Sequence, residues 1–227
     1  MHDELRIITT SDGSSSLLNT TLNETYHSTH GAIQESSHVF IKNGLQYFIE
    51  KNNPASVSVF EVGFGTGLNA LLAFVLSEKN NTQIEYTSIE AFPVDWELAS
   101  HLNYPVQLGG NELPTYFQLL HQTEWNIKIE ITACFSLQKV KTTIQDFDFP
   151  AHQFDVVFFD AFAPAKQPEM WTLPVLEKIC SAMKSKGVFV TYCAKGQLKR
   201  DLRSLGMLME TLPGPPGKRE MVRALKP

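Results

Sequence analysis

Cysteines, long apolar runs and a secretory signal are scarce or missing in this sequence. Its three cysteines, Cys134, Cys180 and Cys193, are isolated and odd in number, which argues against a disulfide framework and a cysteine-rich zinc site. No apolar run approaches the ~18 residues of a membrane-spanning helix. The polar N-terminus has no apolar signal region. We therefore expect a cytoplasmic protein with no membrane partner.

An excess of basic residues is also missing. The chain of 227 residues has 19 Lys and Arg against 24 Asp and Glu, a net charge of −5, so no overall positive field attracts nucleic acid. Any nucleic-acid contact must come from a local patch. Basic residues do cluster late in the chain, at Lys195, Lys199, Arg200, Arg203, Lys218, Arg219 and Arg223. They either contact phosphates or form a solvated face, and both interpretations stay open.

The sequence does contain a regular alternation of apolar strand and helix patterns. Strands are predicted at 56–62, 84–90, 127–135, 137–144, 154–160 and 187–193, and helices at 38–51, 68–78, 171–184 and 196–204. Segments 207–212 and 219–225 flank a Pro- and Gly-rich turn and predict a hairpin. The chain is therefore predicted to be a doubly wound α/β sheet with a C-terminal antiparallel hairpin. Residues 1–37 form a polar N-terminal extension over one domain, residues 38–227.

A glycine-rich loop follows the first strand of this domain. Glu61, Gly63, Gly65 and Gly67 lie between a strand and an apolar helix, where glycines let a ligand approach the backbone and the helix start offers free N–H groups. The GxGxG spacing differs from the GxGxxG dinucleotide fingerprint, which argues against an NAD-dependent dehydrogenase. Together with the predicted hairpin it resembles the class I S-adenosylmethionine-dependent methyltransferases. The alternative is a tight turn without a ligand.

Two further carboxylates fit a nucleotide site. Glu90 ends the second strand, where a carboxylate can accept both ribose hydroxyls, or it is a solvated charge. Asp146 follows a later strand and either meets an adenine amino group or lies in a surface loop. Neither position separates the adenosine of S-adenosylmethionine from that of NAD.

The segment from Asp160 to Trp171, DAFAPAKQPEMW, carries the candidate chemistry. Asp160 ends an apolar strand, at the edge where doubly wound folds bind ligands, and its carboxylate can orient an amine and accept its proton. Pro164 stiffens the following loop. Lys166 lies in the same loop, and Trp171 either stacks on a base or anchors its helix in the core.

The histidines do not predict a metal site. His27 and His30 are close in sequence, but no third ligand stands at a metal spacing, and we expect no metal. Residues 26–31 are interpreted instead as a lid over the cofactor. A serine hydrolase is disfavoured because GxSxG is missing.

Three segments together resemble a known family. EVGFGTGLNALLA, FFDAFAPAKQPEMW and GPPGKREM, in that order, are similar to the MnmC-type tRNA methyltransferase domain, and YHSTHGAIQESSHVFIKNGL resembles its opening segment. The resemblance implies methyl transfer from S-adenosylmethionine to 5-aminomethyl-2-thiouridine at the tRNA wobble position, giving 5-methylaminomethyl-2-thiouridine. It implies that Gly63, Gly65, Gly67 and Glu90 bind the cofactor and that Asp160 is the catalytic carboxylate. Lys218 and Arg219 then become candidates for contacts with tRNA.

The resemblance also implies a partner. Bifunctional members carry an FAD-dependent oxidoreductase domain that first removes a carboxymethyl group, and here we expect a stand-alone methyltransferase supplied by a separate oxidoreductase. Two alternatives remain: a class I methyltransferase acting on another amine, and a non-catalytic, S-adenosylmethionine-binding partner of an oxidoreductase.

Overall fold

The N-terminal residues form a small sheet of their own. The computed structural model describes residues 5–227. Strands β1 (Leu5–Thr9), β2 (Ser15–Asn19) and β3 (Glu24–Thr25) pair antiparallel in the order β1-β2-β3. The sequence analysis predicted no strand here, because the polar run of Ser and Thr hides any alternation.

A continuous helical segment joins this sheet to the rest of the chain. It comprises α1 (Ala32–Ser36), a π-helical stretch (Ser37–Gln46) and α2 (Tyr47–Asn52), and it includes the predicted helix 38–51. The predicted boundary between residues 37 and 38 falls inside it, and the division into an extension and a domain stays a prediction. Gly44 lets the segment pack closely, since a Cβ there would lie 2.8 Å from Val190 Cγ2.

The main sheet has eight strands in the order β10-β11-β9-β8-β4-β5-β7-β6. Their bounds are β4 (Ser56–Val62), β5 (Gln83–Glu90), β6 (Lys128–Glu130), β7 (Phe135–Lys141), β8 (Phe154–Phe159), β9 (Met183–Thr191), β10 (Leu208–Pro213) and β11 (Glu220–Leu225). Strands β4, β5, β7, β8 and β9 are parallel, β11 is antiparallel to both β9 and β10, and β6 is antiparallel to β7. The predicted doubly wound sheet and C-terminal hairpin are confirmed.

The helices cover this sheet on both faces. They are α3 (Leu68–Asn80), α4 (Trp96–Ala99), α5 (Tyr104–Leu108), α6 (Leu113–Gln122), α7 (Leu173–Ala182) and α8 (Gly196–Ser204), with a 3₁₀ turn at Pro168–Trp171. Along β8, Phe158 packs into one hydrophobic cluster and Phe159 into another. This alternation is expected when both faces of a strand are buried. Among residues 5–227, we find no helix with the length and apolarity needed to cross a bilayer.

Three predicted strands have wrong bounds. The predicted strand 127–135 is two strands, β6 and the start of β7, because the chain turns at Thr132, whose Oγ accepts the Cys134 N–H at 3.3 Å. Apolar residues on both sides of this turn mimic one strand. β7 ends at Lys141 rather than 144, and the following loop lines the cavity described below. β9 begins at Met183, directly after α7, and ends at Thr191 rather than 193.

Candidate active site

A cavity opens at the carboxyl ends of the central parallel strands. Strand order reverses between β4 and β8, and this is the point where doubly wound sheets form a ligand crevice. The cavity has a volume of about 610 Å³. Its walls come from the glycine loop, the ends of β5 and β8, the loop after β7, and the N-terminal segment. The lining includes Asn19, Leu22, Tyr26, His27, Gly63, Gly65, Asn69, Glu90, Phe92, Asp160 and Phe162.

The glycine loop has a backbone that side chains would obstruct. Gly63, Gly65 and Gly67 have φ values of 89°, 50° and 73°, in the left-handed region that glycine adopts readily. A Cβ on Gly65 would lie 3.2 Å from Tyr26 Cδ1, and one on Gly67 would lie 2.6 Å from His121 Cε1. The loop is therefore a close-fitting backbone cradle that leads into α3.

Glu90 holds this loop in place. Its Oε2 accepts the Gly65 N–H at 3.0 Å, and its Oε1 accepts the Phe92 N–H at 2.9 Å. Burial raises the pKa of Glu90. Each oxygen keeps lone-pair capacity toward the cavity, so Glu90 can still accept hydroxyl groups. Phe92 also lines the cavity with 76% of its surface exposed.

Glu61 lies under the loop, outside the cavity lining. It is fully buried, and Ser88 Oγ donates to its Oε2 at 2.7 Å. Among residues 5–227, its Oε1 has no hydrogen-bond partner. Burial, with the nearby charge of Asp160 adding to it, raises the pKa of Glu61 to about 8. The site therefore contains a buried carboxyl group that would gain from a neighbouring cation.

Asp160 reaches the cavity directly from the end of β8. Asn69, in the first turn of α3, donates its Nδ2 hydrogen to Asp160 Oδ2 at 2.8 Å. Burial raises the pKa of Asp160 to about 7, and the negative charge of Glu35 acts in the same direction. The carboxyl group of Asp160 is thus poised to exchange a proton near neutral pH.

The N-terminal segment closes one side of this cavity. Tyr26 packs edge-on against Phe162 with ring centroids 5.0 Å apart. His27 is buried and its Nδ1 lies 3.2 Å from Ser16 Oγ. Burial lowers the pKa of His27 to about 4, so its ring is neutral at pH 7. The lid role of residues 26–31 stays a prediction.

The sequence predicted that Pro164, Lys166 and Trp171, in the loop after Asp160, contact the substrate. Trp171 is 7% exposed, packs on Phe159, and donates Nε1–H to Phe162 O at 2.8 Å, which agrees with the core alternative. Lys166 Nζ donates to Leu22 O at 2.8 Å. Of the described residues, Pro164, Lys166 and Trp171 are not among those that line the cavity. Their substrate roles stay predictions.

Asp146 also lies outside the lining. Its carboxylate is exposed and accepts a hydrogen bond from Thr143 Oγ1 at 2.7 Å. Thr143 and Gln145 do line the cavity. The adenine contact assigned to Asp146 stays a prediction.

Several residues of the late basic cluster are paired with carboxylates. Lys199 Nζ lies 2.8 Å from Glu220, and Arg223 Nε lies 2.5 Å from Glu210. Lys218 Nζ lies 2.5 Å from Glu35 Oε1, whereas Arg219 is exposed. The positive surface available to a polyanion is therefore smaller than the sequence implies.

Sequence reasoning missed Asn69, Glu35, Tyr192 and Phe92. The signal for Asn69 was available, because it follows Gly67 by two residues and so falls in the first turn of the helix. Nothing in the sequence places Glu35 or Tyr192 next to Asp160, because they come from distant parts of the chain.

The fold and this site together define the class of enzyme to which the chain belongs. A parallel sheet with β4 at its centre, an antiparallel β11 inserted beside β9, and a glycine cradle before α3 make the chain a class I S-adenosylmethionine-dependent methyltransferase. The family model described as S-adenosyl-L-methionine-dependent methyltransferase matches residues 110–227, about half of the chain. The chain belongs to this family, and S-adenosylmethionine is its cofactor.

Three individual proteins are similar to this chain over most of its length. The crystal structure of MNMC2 from Aquifex aeolicus has a TM-score of 0.77 and 27% sequence identity, with 98% of this chain and 70% of that chain covered. The tRNA 5-methylaminomethyl-2-thiouridine biosynthesis bifunctional protein MnmC of Nitrosospira multiformis is 30% identical over 220 residues, with 91% of this chain and 35% of its own length covered. The protein of the same name from Leptospira interrogans is 30% identical over 207 residues, with 87% and 32% covered. The chain therefore spans about a third of the length of these curated relatives.

Proposed function

We propose that this methyltransferase acts on the primary amine of 5-aminomethyl-2-thiouridine at the tRNA wobble position and produces 5-methylaminomethyl-2-thiouridine. The observation that carries the proposal is the position of Asp160, whose carboxylate enters the cavity beside the glycine cradle. The names of the Nitrosospira and Leptospira proteins support the choice of substrate.

The cofactor fits the cradle. Side chains on Gly65 or Gly67 would occupy the space around the loop, and Glu90 keeps acceptor capacity for the two ribose hydroxyls. The carboxyl group of Glu61 lies beneath the loop, and a cationic ligand in the cradle would favour its ionised form and be attracted by it. Gly63, Gly65, Gly67 and Glu90 would hold the cofactor, which supplies an electrophilic methyl group on a positively charged sulfur.

Asp160 would accept the proton that the acceptor amine loses. An alkyl amine with a pKa of ~10.4 is neutral only about once in 10³ at pH 7, and only the neutral form can attack a methyl group. A carboxylate favours the ammonium form, so Asp160 does not act by lowering the pKa of the amine. It orients the amine and accepts a proton as positive charge develops on nitrogen. Its pKa of about 7 matches this task at neutral pH.

The proposal also covers how tRNA is bound, how the amine is supplied and where the reaction takes place. The exposed Arg219 is the phosphate contact we favour, because Lys218 is already paired with Glu35. With a net charge of −5, nonspecific attraction to RNA is weak, so recognition depends on the wobble base entering the cavity. An FAD-dependent oxidoreductase would supply the amine, and the methyl transfer would take place in the cytoplasm.

Transfer of labelled methyl groups to tRNA tests the proposal. The substrate is bulk tRNA carrying 5-aminomethyl-2-thiouridine, and the product is identified by nucleoside analysis. Asp160→Asn should lose most of its turnover and keep its cofactor affinity, while the exposed control Asp148→Asn should match the wild type.

Three outcomes would contradict parts of the proposal. Methylation of free amines without tRNA would favour the small-amine alternative. Cofactor binding without transfer to any acceptor would favour the non-catalytic partner. Equal loss of turnover and cofactor affinity in Asp160→Asn would remove Asp160 from the catalytic role.

A further inference from the structure

Glu35 and Lys218 form an ion pair beside the candidate active site, in which Glu35 is buried and Lys218 is partly exposed. Glu35 lies in α1 and is 4% exposed. Its Oε2 accepts the Ser28 N–H at 2.7 Å, and its Oε1 accepts from Lys218 Nζ at 2.5 Å. Lys218 belongs to the turn between β10 and β11, 183 positions away in the sequence. The pair therefore joins the N-terminal segment to the C-terminal hairpin.

Lys218 also contacts the residue that fixes the backbone next to Asp160. Its Nζ lies 3.6 Å from the centroid of the Tyr192 ring. The Tyr192 hydroxyl donates to Ala161 O at 2.8 Å, and Ala161 follows Asp160. A cation over an aromatic face is attracted by the ring, and this attraction is stronger where water is excluded. An uninterrupted chain of contacts thus leads from Glu35 through Lys218 and Tyr192 to the backbone next to Asp160.

The surrounding turn leaves the pair little freedom to move. Gly217, which precedes Lys218, has a φ of 83°, and a Cβ there would lie 1.9 Å from His30 Cδ2. His38 Nε2 lies 2.9 Å from Pro213 O at the end of β10. The hairpin turn is thus packed against residues 28–38, which fixes both charges in position.

We propose that Glu35 and Lys218 are a positioning pair for methyl transfer, which fastens the N-terminal segment to the hairpin and balances the charge that acts on Asp160. This inference rests on the proposed role of Asp160 as the proton acceptor. It gives Lys218 a role beside the site, whereas the resemblance suggested a contact with tRNA.

The electrostatic balance follows from opposite charges near one carboxyl group. The ionisable groups that act on Asp160 or respond to it are Glu35, Lys218, Glu61, Tyr86 and Tyr192. Glu35 raises the pKa of Asp160 and Lys218 lowers it. Removing one partner therefore leaves the charge of the other uncompensated. The two single substitutions must move the titration of Asp160 in opposite directions.

Titration of Asp160 in the full chain tests this proposal without cofactor or tRNA. The side-chain carboxyl carbon is followed by NMR in the wild type, Glu35→Gln, Lys218→Met and the double variant, with Asp160→Asn to assign the signal. We expect Lys218→Met to raise the midpoint and Glu35→Gln to lower it. The double variant should return close to the wild type. The acidic limb of the kcat profile should move with each midpoint.

Two controls separate this effect from general damage to the fold. The exposed pair Lys128–Glu85, with Nζ and Oε2 2.9 Å apart, is replaced in the same way and should leave the titration of Asp160 unchanged. Lys218→Arg keeps the positive charge and should keep the midpoint near that of the wild type, even where Lys218→Met folds poorly.

The results that overturn the inference are distinct from failure of the proposed function. Shifts in the same direction in both single variants would refute the charge balance. An unchanged midpoint in Lys218→Met, together with a lower salt dependence of tRNA binding, would return Lys218 to a phosphate contact. Opposite shifts in a protein that methylates no tRNA would retain the pair and reject the substrate.

Discussion

Replacing Glu61 by Gln should make the protein less sensitive to rising pH. The pKa of Glu61 is about 8 in the folded chain, against an ordinary value of 4.5. Between these values the folded protein keeps the proton and the unfolded chain has lost it. The stabilising contribution of the protonated group is therefore complete below 4.5 and disappears as the pH rises through 8. Gln has no proton to lose, and its side-chain oxygen can still accept from Ser88.

The size of this effect follows from the shift in pKa. One pKa unit corresponds to about 1.4 kcal/mol. Raising the pH from about 5 to about 7 should therefore cost the wild type up to about 3 kcal/mol of unfolding free energy through Glu61 alone. This is a large fraction of the about 5–15 kcal/mol that stabilises a typical domain. Asp160 titrates over the same range but is present in both proteins.

Urea unfolding without cofactor measures this difference. The wild type, Glu61→Gln and the exposed control Glu97→Gln are compared at both pH values. When the pH is raised, the unfolding free energy of the wild type should fall by about 2–3 kcal/mol more than that of Glu61→Gln. The unfolding free energy of the control should fall by the same amount as that of the wild type. If the wild type and Glu61→Gln lose stability in parallel, the carboxyl group of Glu61 does not hold a proton in the folded protein.

Three other substitutions test the remaining assignments. Gly65→Val should abolish cofactor binding in calorimetry, because a side chain at φ 50° meets Tyr26, and an unchanged affinity would reject the cradle. Trp171→Phe should cost about 1 kcal/mol in urea unfolding through the lost hydrogen bond to Phe162. If it weakened cofactor or tRNA binding instead, Trp171 would belong to the ligand site. Arg219→Glu should reduce the dependence of log tRNA affinity on log salt by about 1. A constant slope would place the phosphate contact elsewhere.

The sequence could predict those parts of the site that depend on local order. The glycine cradle and Asp160 directly follow buried strands, so their position at the carboxyl edge of the sheet follows from strand polarity alone. The hairpin was equally readable, because PGPPGK interrupts two apolar segments. These features need no knowledge of which distant residues meet.

The parts that the sequence could not predict depend on distant contacts or short turns. The Glu35–Lys218 pair joins opposite ends of the chain, and an isolated Glu or Lys does not indicate its partner. The turn at Thr132 is invisible because apolar residues continue on both sides of it. Asp146 has the residue type of a nucleotide contact, yet the Thr143 hydroxyl holds it at the surface. Residue type alone therefore does not decide whether such a carboxylate faces the cavity or the solvent.

Strand β11 has a consequence for the order in which the protein is assembled. It is the last strand along the chain, yet it lies between β9 and β10, and among the described residues β10 is bonded to no other strand of the sheet. As the chain leaves the ribosome, β10 emerges before its pairing partner β11, and Glu35 cannot pair until Lys218 has been made. Contacts so distant in sequence form late, because closing a long loop costs entropy before any bond is gained. The antiparallel edge of the sheet and the Glu35–Lys218 pair are therefore expected to form after the parallel strands.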